Sequence, residues 1–580
     1  MPENHISFLL NFFYSYSRKL IDDKIISNIN TQNISIDFLS KSKRGDISSN
    51  FFLLVQKKII LKEFNLKSDL SKKLLNIDII SKVDISNNGF INIFLEKKYL
   101  QKKITSILVE KENFGKINLG KNKKINIEYV SANPTGPIHI AHIRGAVLGD
   151  VLSNILNKTG YKVTKEYYVN DSGNQTDILG KSLYKRYCQL LNVDVSIEEG
   201  EYPGEYLIQI AKEIIEKYND KFLETNDSKV DVFFRNYAVN YLINHIKKDL
   251  DLLNINFDIF TYESEIVKKN LIKDLFSILD KKNLLYEGIL QKPIGDDNSD
   301  WEPREQLIFK ASKIFDDKDR ALKKANGEWT YFANDAAYHY DKFLRNFNSI
   351  INIWGADHIG YISRMKSIVK AISNKDNYLE VLICQIVRLI QNNEILKMSK
   401  REGNFITLKR VFNLVGKDPL RYYMISTKSE TAMDFNIDKV TEKNKDNPVF
   451  YCQYAYVRAI SVLNKAKELN IHISENDNDL NIEKYITNDE WEIILKLISF
   501  PYIIIQISNL REPHRLCNYI EHISSIFHSL WNKGKDNQSL RFIDEKNEEK
   551  TISKIFWLES FRIILKDIFS IIDINAPETM

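Results

Sequence analysis

Cysteine is scarce in this chain: Cys188, Cys384, Cys452 and Cys517 are the only four in 580 residues, and no two form a C-x-x-C pair. That usage fits a reducing cytoplasm and offers no zinc site. Net charge is also missing, since 82 cations against 77 anions leave only +5. Such a balance permits nucleic-acid binding through local patches without arguing for it. No apolar run reaches the roughly 18 residues of a membrane span. The first twenty residues carry an apolar stretch, but Glu3 precedes it and no basic leader or small-residue cleavage site frames it. It reads as an amphipathic helix rather than a signal peptide. No G-x-x-x-x-G-K-[ST] loop and no G-x-G-x-x-G turn occurs, so P-loop and dinucleotide-binding folds lose support. Internal repeats are absent too.

What is present is the balance of a globular protein, 43% apolar and 27% charged, at a length that calls for three or four domains. Residues 1–115 read as a small α+β unit, with helical periodicity over Phe51–Ile60 and strand alternation over Gly89–Leu95. After a lysine-rich linker, Ile125–Val130 predicts a buried strand, followed by a turn and a helix bearing Val147, Leu148, Val151, Leu152 and Ile155. Gly145, Ala146 and Gly149 on that helix would let it approach a sheet closely. Tyr161–Val169, Ser349–Trp354 and Leu379–Cys384 predict further strands that alternate with helices, which implies a parallel sheet. Residues 185–325 interrupt it as a charged, mostly helical insertion. The region 116–445 is thus one α/β domain, and 446–580 reads as an all-helical bundle ending in a long helix over Ile552–Ile574.

Two stretches concentrate the chemistry. In Pro134-Thr-Gly-Pro-Ile-His139-Ile-Ala-His142 a Pro/Gly turn opens a helix, and histidines three apart face the same way. A helix N-terminus with free N–H groups suits phosphate, and the two rings can donate to a triphosphate. A capping histidine beside a buried one is the plainer alternative. Lys397-Met398-Ser399-Lys400-Arg401 groups three cations between the Asn392-Asn393 turn and Gly403-Asn404. A loop of this kind can close over phosphates and neutralise a leaving pyrophosphate, or be simply a solvated charged loop.

Carboxylates form a third group. Gly355-Ala-Asp357-His358 follows a strand, where ligands bind in open α/β sheets; Asp357 can accept from ribose hydroxyls or serve as a helix cap. Tyr331 and Asp335 are four apart and share a face if helical. With Glu128 at a strand end they could line an anionic pocket, which would require a cationic ligand. Ordinary surface placement is the competing reading.

Taken together these segments resemble the arginyl-tRNA synthetase family of the class I aminoacyl-tRNA synthetases. The resemblance runs through Glu128-Tyr-Val-Ser-Ala-Asn133-Pro-Thr-Gly-Pro, Tyr167-Tyr-Val-Asn170-Asp-Ser-Gly-Asn174-Gln175, Trp329-Thr-Tyr331-Phe-Ala-Asn-Asp335, Trp354-Gly-Ala-Asp-His358 and Asn447-Pro-Val-Phe-Tyr451-Cys-Gln-Tyr454-Ala. It implies a Rossmann-like catalytic domain with a helical insertion, a small N-terminal α+β domain for the tRNA elbow, and a C-terminal helical anticodon-binding bundle. It assigns Glu128, Asn133, His139, Tyr331, Asp335 and Tyr361 to arginine. To ATP it assigns His139, His142, Gly355, Asp357, His358, Met398, Ser399 and Lys400, with His139, His142, Lys397 and Lys400 as the catalytic set. Asn50, Tyr451, Tyr454 and Met580 fall to tRNA.

The implied reaction joins L-arginine to ATP, with Mg²⁺ accompanying the nucleotide, releases pyrophosphate, and esterifies the 3′ adenosine of tRNA(Arg). Members of the family generally need bound tRNA before they activate arginine. The resemblance further implies a cytoplasmic monomer with no membrane partner and no resident metal. One position departs from the family pattern: Ala141 stands where a glycine lets adenine lie against the backbone. The rival readings are a class I synthetase for another amino acid and a non-catalytic tRNA-binding paralogue.

Overall fold

The structure, a computed structural model, describes residues 5–38, 45–223, 228–290, 305–324, 327–396, 406–473 and 482–580. It divides into two compact units, one of residues 1–117, 443–511 and 515–580, the other of 118–442 and 512–514.

In the first unit the two ends of the chain pack together. Strands β1 (Ile36–Phe38), β2 (Ile47–Ser49), β3 (Ile80–Ile85) and β4 (Ile91–Leu95) form an antiparallel sheet in the order β1–β2–β4–β3. The helix His5–Asp22 buries Ile6, Leu9, Phe13, Tyr16 and Leu20, so its apolar stripe is core. The expected helix at Phe51–Ile60 stops at Gln56. Long helices Pro448–Glu468, His514–Asp536 and Glu548–Ile572 build the bundle. Lys97 lies 4.4 Å over the ring of Trp491, the Tyr502 hydroxyl donates to the Ile36 carbonyl (3.3 Å), and Ser560 Oγ donates to the Ile104 carbonyl (3.5 Å). No single helix among the described residues is long and apolar enough to cross a membrane.

The second unit is built on a parallel sheet of β5 (Lys124–Glu128), β6 (Lys162–Val169), β7 (Ile259–Tyr262), β11 (Ser349–Gly355) and β12 (Leu379–Cys384), ordered β12–β11–β5–β6–β7. Isoleucine-rich β5 is buried over 125–128 and β11 over 350–353, as the middles of strands covered on both faces must be. The helix Ile140–Lys158 crosses from β5 to β6. Gly149 is required there, because a Cβ would stand 2.3 Å from the Tyr129 ring, whereas one on Gly145 would meet nothing within 4 Å.

The segment read as a helical insertion holds more than helices. It supplies β7, the edge of the parallel sheet, and a separate antiparallel sheet of β8 (Leu285–Gly288), β9 (Gln306–Phe309) and β10 (Arg320–Ala321). Strands of two to four residues are too short to display a period in sequence. A last small sheet joins β13 (Val387–Gln391), β14 (Glu394–Ile395) and β15 (Met433–Asn436). The expected turn at Asn392-Asn393 links β13 to β14, with both residues at positive φ (52° and 62°).

Strand order reverses between β5 and β11: the chain runs outward through β6 and β7 on one side and through β12 on the other. A crevice at the carboxyl ends of β5 and β11 is where such sheets bind ligands. Glu128 ends β5 and Gly355 ends β11.

Candidate active site

The histidine turn leaves β5 and enters the helix with His139 as its N-cap, in extended conformation (φ −126°, ψ 176°). The His142 ring accepts from the His139 amide (3.2 Å), and the two ring centroids lie 3.9 Å apart. Both side chains are half-buried, and Ala141 between them is exposed. His139 also forms an antiparallel bridge with Thr407, and the Leu408 amide donates to the Ile138 carbonyl (3.0 Å). Lys397, Met398, Ser399, Lys400 and Arg401 lie outside the described residues.

At the end of β11, a Cβ on Gly355 would stand 2.4 Å from Asp357 Oδ1, the tip of an exposed side chain that could turn aside. Asp357 and His358 are largely exposed and 3.3 Å apart (Oδ2 to Nε2), presented on the turn 356–361.

The helix Tyr331–Leu344 starts at Thr330, whose hydroxyl accepts from the Ala333 amide (3.3 Å). It places Tyr331, 63% exposed, one turn before Asp335. Burial pushes the Asp335 carboxyl up to about 7; a hydrogen bond with Tyr361 opposes the shift, while the charges of Glu263 and Glu128 add to it. Glu128 forms an ion pair with buried Lys342 (2.6 Å) and accepts from the Ser131 hydroxyl (3.1 Å). Asn133 Nδ2 donates to Gln175 Oε1 (2.9 Å). Glu128, Asp335 and Tyr361 thus converge.

Sequence reasoning missed Glu263. It follows β7 directly, is buried, accepts from Asn334 Nδ2 (3.1 Å), and the Asn170 amide satisfies its neighbours only with its nitrogen toward Glu263 Oε2 (2.8 Å). Burial raises its carboxyl, as it does that of Asp335. The only signal in sequence was the placement of a carboxylate after a strand too short to recognise.

In the first unit, Tyr451 and Tyr454 meet one partner, His528, at ring-centroid distances of 4.3 and 6.0 Å. Arg458 lies 4.1 Å over the Tyr454 ring and 5.0 Å over Trp531, and donates to His528 Nδ1 (3.0 Å). Phe527 is fully buried core. Asn50 Nδ2 donates to the Asn33 carbonyl (2.9 Å) and its Oδ1 accepts from the Ser35 amide (2.8 Å), and Met580 is exposed.

A split parallel sheet, a paired-histidine turn at its switch point and a helical bundle define a class I aminoacyl-tRNA synthetase. Profiles of three domains match: the arginyl tRNA synthetase N terminal domain over residues 17–95, the catalytic domain of tRNA synthetases class I (R) over 103–446, and the DALR anticodon binding domain over 452–580. The arginine–tRNA ligase of Bartonella bacilliformis is 39% identical over 98% of this chain and all of its own. That of Wolbachia sp. subsp. Brugia malayi is also 39% identical, over 98% and 100%. The Thermus thermophilus arginyl-tRNA synthetase shares the fold, with a TM-score of 0.72 at 17% identity, covering 94% of this chain and 96% of that one. The chain belongs to the arginyl-tRNA synthetase family.

Proposed function

We infer that this chain carries out its family's reaction, activating L-arginine with ATP and transferring it to the 3′ adenosine of tRNA(Arg), with Asp335, Glu263 and Glu128 forming the arginine pocket. One observation supports the pocket above all. Among the described residues no lysine or arginine pairs with Asp335 or Glu263, and burial disfavours the charge on both. A guanidinium restores that charge, and a neutral or shorter side chain leaves the carboxylates unmatched. Tyr331, Tyr361 and Asn133 complete the surroundings of the amino acid.

His139 and His142 donate to the ATP phosphates, Gly355, Asp357 and His358 face the nucleoside, and the 397–401 loop closes on the β- and γ-phosphates. Mg²⁺ enters with ATP as part of that substrate. The chemistry needs no covalent enzyme intermediate: a carboxylate is aligned with the α-phosphorus, and the charge that develops is stabilised. Residues 446–580 take the anticodon, with Tyr451, Tyr454 and Met580 in contact, and residues 1–115 take the tRNA elbow through Asn50. The protein acts as a cytoplasmic monomer.

The test is ATP–pyrophosphate exchange with each amino acid, with and without tRNA(Arg). Exchange with arginine alone, dependent on tRNA, is the expected result. Exchange with another amino acid would reject the pocket, and none with any would favour the non-catalytic paralogue.

A further inference from the structure

Against Glu128 of the carboxylate cluster runs a buried chain of polar groups, Lys342, Asn352 and His339, that the reaction above leaves without a role. Lys342 and Asn352 are 0% exposed, His339 4% and Glu128 6%. Lys342 Nζ donates to Glu128 Oε2 (2.6 Å) and to Asn352 Oδ1 (3.3 Å), and sits 4.5 Å over the Tyr338 ring. Asn352 Nδ2 faces His339 Nε2 (2.9 Å), and His339 Nδ1 faces the Asp335 carbonyl (2.8 Å). A carbonyl only accepts, so Nδ1 carries the proton and Nε2 accepts from Asn352. Burial lowers the His339 pKa to about 4, which keeps that neutral tautomer at neutral pH.

Every donor direction is therefore set, and both ends of the chain fall on pocket residues. Asp335, His339 and Lys342 are spaced by four and three residues, so one helix face carries the pocket carboxylate and its support. The far end is held as well. Glu128 Oε1 accepts from Ser131, whose Oγ accepts from the Tyr168 amide (3.0 Å). Val130 and Ser131 adopt φ of 66° and 35°, a conformation that a β-branched residue keeps only where its surroundings dictate it. The neighbouring buried carboxylate, Glu166, has its own cation in Arg345 (2.9 Å). Cations thus hold Glu128 and Glu166, while Asp335 and Glu263 have none among the described residues.

We propose that Lys342, acting with Asn352 and His339, is a positioning residue for arginine recognition, holding the Glu128 carboxylate in fixed register with Asp335. Replacing a buried ion pair with apolar residues is often neutral for stability, so stability alone is a weak account of this one. The inference rests on the assignment of Glu128 and Asp335 to arginine.

The test uses the full-length protein in tRNA-dependent exchange, titrating arginine and ATP separately. Lys342→Met should raise the arginine KM about tenfold or more, the loss expected for a displaced charged hydrogen-bond partner. Its ATP KM should stay within about twofold, as for a group acting only on the amino acid. Where Lys342→Met does not fold, Asn352→Ala removes the relay without stranding a charge and should show the same split. In the Glu128→Gln/Lys342→Met protein, both charges are gone, and the arginine KM should match that of Glu128→Gln alone. An unmoved arginine KM in the folded single variant, an equal rise in both KM values, or a double variant worse than Glu128→Gln by the full factor would each overturn the proposal. If Glu128→Gln and Asp335→Asn also leave the arginine KM unmoved, the pocket assignment itself fails.

Discussion

His139 and Thr407 are joined by an antiparallel bridge, so the histidine turn is tied to the start of the helix Leu408–Val415. Thr407 also caps the helix Leu408–Val415, its hydroxyl accepting from the Arg410 amide (3.3 Å). His139 and Thr407 are more than 250 residues apart in sequence, yet the fold pairs them.

That anchoring motivates the first prediction. Lys400→Ala should lower kcat for adenylate formation with only a modest change in ATP KM, because the loop acts on charge that builds in the transition state. Unchanged single-turnover activation would remove the loop from the mechanism.

Asp335→Asn should raise the arginine KM at least tenfold while the ATP KM moves little. The guanidinium loses a charged partner, worth about 1.5–3 kcal/mol. Glu263→Gln should show the same split. Steady-state exchange with each substrate titrated separately checks both.

Arginine affinity should depend on pH through Asp335. Its carboxyl is raised to about 7 in the folded protein, so below that pH the empty pocket holds a proton that the guanidinium must displace. Affinity should therefore climb with pH by up to about tenfold per unit and level off above about 7. Stability of the ligand-free protein runs the other way. Ionisation of Asp335 in the unfolded chain costs stability progressively from about pH 4 to about pH 7, and no further above it. Calorimetric titration in buffers of different ionisation enthalpy should show proton release on binding near pH 6, and Asp335→Asn should abolish it.

Gly149→Ala should destabilise the second unit, because the new methyl meets the Tyr129 ring at 2.3 Å. Overpacking of this kind costs about 1–3 kcal/mol. Thermal unfolding should report it, and Gly145→Ala, with open space around it, should be near neutral.

Ala141→Gly tests the one departure from the family pattern. The Ala141 methyl is exposed rather than wedged into the fold. The natural protein should be active, with its ATP KM falling only modestly in the glycine variant. An inert natural protein restored by glycine would favour the non-catalytic paralogue.

Local pattern was enough for much of this molecule. The strands Lys162–Val169, Ser349–Gly355 and Leu379–Cys384 and the helix Ile140–Lys158 were legible because each is long enough to show its period. The histidine turn and the Asn392-Asn393 turn were legible because backbone geometry there demands particular residues. Tertiary structure alone decided the rest. Ile259–Tyr262 joins the parallel sheet through hydrogen bonds to β6, which no four-residue window reveals, and so Glu263 went unseen. Lys342 reads in sequence as one more helix-surface lysine; only the packing of its helix against β5 and β11 buries it on Glu128 and Asn352. Periodicity records which face of an element is apolar, whereas the partner a buried charge finds is settled by long-range contact.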